Sequence, residues 1–140
     1  VLAWAPDRLI VWGGYNDSGG DQGAIATAVA SLYAAIKAGL PSCQVYVIGC
    51  WSPSGSPGAG VTNTDATLRT AAAAAGLPFV SPVTGSVYDT TGALVATHGA
   101  WITTANAAGY IGADAIHPND AGHIYLSRRI TAAIRQLMPA

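Results

Sequence analysis

The chain has 140 residues, of which 51% are apolar and 9% charged, and its net charge is −1. That length fits one domain, which buries roughly 68–70% of the surface its unfolded chain exposes. No basic run offers the footprint of a nucleic-acid binder, and no stretch approaches the ~18 uninterrupted apolar residues of a spanning helix.

The first residue is Val1, and no charged, apolar and cleavage regions of a secretory signal follow it. Leu2 to Asp7 lead straight into a strand, so the opening reads as the middle of a sequence. Leu9-Ile10-Val11-Trp12 is a continuous apolar run, the pattern of a parallel strand covered on both faces. It ends at Gly13-Gly14. From Asp21 the apolar residues Ile25, Val29, Leu32 and Ile36 recur at helical spacing, with Gly39 as a left-handed stop and Pro41 beyond. Gln44 to Gly49 is a second strand. Cys43 and Cys50 flank it, about 23 Å apart at ~3.3 Å per residue. A disulfide needs Cα atoms within ~7 Å, so both are expected to be free thiols.

A Ser/Pro/Gly loop follows from Ser52 to Gly60. Thr64 or Asn63 is the expected cap of a second helix through Leu68 and Ala71–Ala75, stopped at Gly76. Pro78 to Val83 is a third strand. Thr84 to Pro118 reads mostly as loop, with a short helix or turn near Ile102 to Ala108. A loop of that length in a compact domain is usually functional. Asn119 or Asp120 caps a last helix whose inner stripe is Leu126, Ile130, Ile134 and Leu137. Arg128, Arg129 and Arg135 face water, and Pro139 ends the helix.

Strands alternating with helices imply right-handed βαβ crossovers and a three-layer α/β/α sandwich on a parallel sheet. Ligands bind such sheets at the carboxyl ends of the strands. That rule selects Gly13–Gly20, Cys50–Gly60 and Thr84–His117.

Two of these segments carry chemistry. His117 lies three residues after Asp114, a spacing that lets the carboxylate accept from the ring Nδ1–H in a turn. That contact would orient the ring and stabilise the imidazolium formed when Nε2 takes a proton. Pro118 limits His117 to extended backbone. The bland alternative is an Asp/His pair that only caps a helix. Asn16, just past the first strand, offers two N–H donors to a developing oxyanion. Its bland alternative is a turn, since Gly-Gly-Tyr-Asn-Asp-Ser-Gly-Gly is turn-forming by composition.

Taken together, Gly14-Tyr15-Asn16-Asp17 and Asp114-Ala115-Ile116-His117-Pro118 resemble the third and fifth sequence blocks of the SGNH, or GDSL-type, serine hydrolase superfamily. The segment His117-Pro118-Asn119-Asp120-Ala121-Gly122-His123 is similar to that family's lead into its last helix. The resemblance spans essentially the whole chain, as the C-terminal part of one such domain. It implies a flavodoxin-like fold and ester hydrolysis through an acyl-enzyme; no cofactor is expected, and the positions of His98, His117 and His123 give no metal site. By the same resemblance His117 is the general base, Asp114 its orienter and Asn16 an oxyanion donor. Gly14 and Asp17 are implied to shape the turn, and His123 to serve packing or capping.

The family's Gly-Asp-Ser block and its oxyanion glycine belong upstream of Leu9, where only eight residues lie and none is Ser. Ser18, Ser52, Ser54 and Ser56 sit in loops that present no nucleophile. In the family's strand order the strand at Leu9 is central, so its neighbour is missing here and an apolar edge is left open. The expected partner is an N-terminal fragment or chain that completes the sheet and brings the serine. The expected substrate is an acylated sugar, lipid or small ester. Tyr15, Trp51, Trp101 and Tyr110 are candidate aromatic walls. His98 reads as a surface residue, and no zinc-type, phosphate-loop or dinucleotide spacing is present. The rival reading is a non-catalytic carbohydrate-binding or structural domain of a cell-surface or virion assembly. A flavodoxin-like signalling module has little support. An extracellular or envelope setting follows from the habit of the family.

Overall fold

The computed structural model describes residues 4–138. The expectations for Leu2 and Pro139 lie outside the described residues. Five strands form one sheet in the order β1 (Arg8–Trp12), β2 (Gln44–Ile48), β3 (Phe79–Val80), β4 (Ser86–Tyr88) and β5 (Leu94–Thr97). β1 to β3 run parallel, with Leu9 beside Val45 and Val47 beside Phe79. β4 and β5 then add in antiparallel fashion. The sheet is therefore mixed, and the hairpin at Ser86–Thr97 replaces part of the expected loop. Asp89 makes that hairpin possible: its carboxylate accepts from the N–H groups of Thr91 and Ala93, folding a tight turn.

The long helices are α1 (Gln22–Gly39), α2 (Ala59–Ala74) and α4 (Asp120–Gln136), with the short α3 (Ala107–Tyr110) before the last. α1 starts where the Asp21 carboxylate accepts from Gly23 and Ala24 N–H at 2.7 and 3.0 Å. Its inner stripe uses Tyr33 in place of Leu32, which is exposed. Gly39 is still helical, and its φ is not left-handed; Leu40 is the cap. Gly76, at φ +66°, does provide the left-handed stop after α2. α2 begins several residues before Asn63, at Ala59. Tertiary contact overrides the capping signal there. Thr64 is buried inside the helix, and its hydroxyl donates to Gln22 of α1 instead of capping. Asn119 caps α4 by accepting from Gly122 N–H at 2.8 Å.

Side chains alternate across the strands, so two cores form. On one face Val45, Val47 and Phe79 pack against Tyr33 and Ile36 of α1 and Leu68 and Ala72 of α2. On the other, Ile48, Val80 and Val87 meet Trp101 and Leu126 and Ala133 of α4. Each large side chain buried this way stabilises the fold by about 1.5–3 kcal/mol. Arg129, expected to face water, is half-buried. Its guanidinium lies over Trp101 and Tyr125 and donates to the carbonyls of His98 and Gly99, holding the outer loop on α4.

β1 is an edge strand. Leu9 and Val11 pack on the α1/α2 core. Ile10 and Trp12, on the opposite face, remain 46% and 41% exposed, although Trp12 meets the Trp101 ring edge-on. Cys43 and Cys50 are both free.

Candidate active site

The loop from Gly112 to His117 is closed on itself. Gly112 N–H donates to His117 C=O at 2.7 Å, and Ala115 N–H to Gly112 C=O at 3.0 Å. To close, Ala115 adopts φ +60°, a left-handed conformation that alanine seldom takes. The result is a fixed carboxylate. Asp114 Oδ1 accepts from Ile116 and His117 N–H, both at 2.9 Å, and Oδ2 lies 2.6 Å from His117 Nδ1. The His117 hydrogen bond, with help from the two backbone N–H groups, holds Asp114 well below the ordinary carboxylate range. A carboxylate held low adds stability above its unfolded titration range, and that stability is lost as pH falls through the folded value. With Asp114 as acceptor, Nδ1 carries the proton and Nε2 is left free to take another.

Asn16 sits in the turn after β1. Asp17 N–H donates to Gly14 C=O at 3.2 Å, and Gly20 N–H to Asp17 C=O at 2.8 Å. Asp17 thus holds the turn through its backbone, while its side chain is exposed. Gly14 is required twice over. Its φ is +105°, and a Cβ there would lie 2.7 Å from Leu68 Cδ1 on α2. Gly14→Ala is expected to destabilise the fold by about 1–3 kcal/mol, through backbone strain and overpacking. Urea unfolding of the variant checks this; an unchanged midpoint refutes it.

Tyr15, Asn16, Trp51 and His117 line one cavity of about 670 Å³, between the end of β1 and α4. Trp51 also donates its indole N–H to Ile116 C=O at 3.3 Å, against the histidine loop. His123, expected to serve packing or capping, is exposed on the same wall. The remaining aromatic candidates go elsewhere: Trp101 packs edge-on against Trp12, and Tyr110 stacks on Tyr125. His98 is exposed and its ring pairs with Gln136. Ser52 and Ser54 each donate to a loop carbonyl. Ser127, not singled out from sequence, is on the cavity wall, but its hydroxyl donates to Ile124 C=O within α4. Among the described residues, no group of histidines, cysteines and carboxylates is placed to hold a metal ion.

Asp65 was missed in the sequence. It is 6% exposed, accepts from Cys50 N–H at 2.9 Å and from the Ser81 hydroxyl at 2.7 Å, and reaches them because Gly49 has no side chain in the way. The signal was its spacing to Leu68 and Ala72, which puts a carboxylate on the buried stripe of α2. Burial pushes its pKa up from 3.8 to about 6, against the opposing pull of Ser81, Cys50 N–H and Arg69. For a raised acid the folded state holds the proton more tightly. Stability therefore falls as pH rises from the unfolded value through about 6, and the full penalty stands at neutral pH. Asp65→Asn keeps the shape without the charge. It is expected to raise stability at pH 7 by up to about 3 kcal/mol and to change nothing near pH 3. Denaturation at both pH values checks this; an equal effect at the two refutes it.

Residues 1–124 match the family described as GDSL-like lipase/acylhydrolase. No curated protein sequence matches the chain. Among solved structures, a mutant acetyl-xylooligosaccharide esterase from Geobacillus Stearmophilus is similar, with a TM-score of 0.64 and 16% identity, over 100% of this chain and 65% of that one. The likeness is one of fold. The chain spans just under two thirds of that esterase.

Proposed function

The chain belongs to the GDSL-like lipase/acylhydrolase family, and from that premise we propose that it carries the base half of a serine esterase site. The observation behind the proposal is the Asp114–His117 contact on a cavity wall shared with Asn16. His117 Nε2 takes the proton of a serine hydroxyl as its oxygen bonds to the ester carbonyl. Asn16 donates to the oxyanion that forms. Collapse of the intermediate breaks the ester C–O bond, and His117 returns the proton to the departing alcohol. Water then repeats the cycle on the acyl-enzyme.

We assign the serine to a segment outside these residues, upstream in sequence or on a partner chain. The free edge of β1 supports this, because a further strand would pair along it, and the half-exposed Ile10 and Trp12 lie on the face that the side chains of such a unit would flank. Ser127 is a poor substitute: it lies mid-helix and its hydroxyl is already bonded. The substrate class is an O-acyl ester of a sugar, lipid or small alcohol. Acetylated oligosaccharides come first, the class named for the esterase of similar fold.

The test is to co-express the chain with its upstream segment and assay an activated acetate ester. The assembly should turn over, the chain alone should not, and a fluorophosphonate probe should label a serine outside this sequence. Labelling of Ser127 would overturn the assignment. Sugar binding with neither turnover nor labelling would favour the non-catalytic carbohydrate-binding reading instead.

A further inference from the structure

Three elements converge on Asp65. β2 ends at Ile48, two residues before Cys50, and β3 ends one residue before Ser81. Asp65, on the inner stripe of α2, accepts one hydrogen bond from each exit. Gly49 leaves the room: a Cβ there would stand 2.1 Å from Asp65 Oδ1 and 2.4 Å from the Phe79 ring. Ser81 in turn accepts from Thr84 N–H at 3.1 Å, so the carboxylate is braced from the β3 side. Hydrogen bonds to an ionised acceptor are short and directional, which suits a group that fixes geometry.

The fixed atom is Cys50 N–H, and it sets the direction in which Trp51 leaves the sheet. Trp51 donates its indole N–H to Ile116 C=O. Ile116 precedes His117, and both residues donate their backbone N–H to Asp114. Asn119 holds the ends of the histidine loop to α3, and among the described residues the other hydrogen bonds of Gly112–His117 run within the loop, so the indole adds its tie to the β2 exit.

We infer that Asp65 is a positioning residue for the Asp114–His117 pair, acting through Cys50 and the Trp51 indole; its meaning for catalysis rests on the esterase reading above. It touches no substrate. It holds the wall against which the base is oriented.

The test reads geometry rather than turnover, so failure of the esterase reading would leave these signals as they are. The Trp51 indole N–H signal and the ring ¹⁵N shifts of His117 are recorded in the native chain and four variants. Asp65→Ala and Ser81→Ala are expected to shift the Trp51 signal and to lower the share of His117 protonated at Nδ1. Asp65→Asn, which still accepts from Cys50 N–H, should restore both. Ile36→Ala, a cavity in the α1 core remote from this chain of contacts, should lower stability and move neither. If Asp65→Ala fails to fold, Ser81→Ala carries the test. Unmoved Trp51 and His117 signals in Ser81→Ala, or equal movement in Ile36→Ala, would overturn the inference.

Discussion

If the chain and its proposed upstream segment form an esterase, replacing His117 by alanine is expected to lower ester turnover by about 10⁴- to 10⁶-fold. The size follows from what the ring does. No other side chain on the cavity wall has both a carboxylate partner and a free proton-accepting nitrogen: His123 shares the wall but lacks the Asp114 contact. Without His117 the serine must lose its proton to water, and the departing alcohol must find one there. The pH profile gives a second check. Asp114 is held ionised far into acid by its bonds to the ring and the backbone. Protonation of Asp114 therefore does not set the acid limb of the profile. The steady-state rate should fall with kcat and KM separated, kcat taking nearly all of the loss. A variant that keeps more than a tenth of native turnover would remove His117 from the mechanism.

The parts of this site legible in the sequence are those built locally. Asp114 and His117 are three residues apart, and one turn brings them into contact. Asn16 follows a strand and sits among glycines, so its loop and its end of the sheet could both be read. What needed the fold was contact between distant segments. Trp51 reaches Ile116 across 65 residues, a pairing that no local pattern encodes. Asp65 lies on a helix that composition marks only as alanine- and threonine-rich, and its partners come from the exits of two strands. The same reason explains the misplaced helix start. Thr64 has the chemistry of a cap, but Gln22 of the neighbouring helix claims its hydroxyl. The Ser86–Thr97 hairpin was hidden by short strands of mixed polarity, although Asp89 to Gly92 between them is a turn signal in plain view. The open edge of β1 was inferred from the family's strand order, and the structure leaves that strand at the end of the sheet.

Asn16→Ala is expected to reduce kcat by about 10²- to 10³-fold while leaving KM within a few-fold of native. The reasoning begins with the turn. Gly14 at φ +105° lets the chain reverse directly against α2, and the bonds from Asp17 to Gly14 and from Ser18 to Tyr15 set the turn without using the Asn16 side chain. Removing the amide therefore leaves the backbone frame intact, unlike Gly14→Ala, which disturbs the frame itself. The amide is exposed on the wall that holds His117. A neutral ester carbonyl gains little from such a donor, because water serves it nearly as well. The tetrahedral oxyanion gains much more, because a donor already fixed in place need not reorganise as charge develops. The loss should thus appear in kcat. Asn16→Asp should do at least as much harm, since it replaces the donor with an anion facing the developing charge. Circular dichroism and urea unfolding should show both variants folded as the native chain is. A loss confined to KM would mean that Asn16 binds the substrate and does not stabilise its transition state.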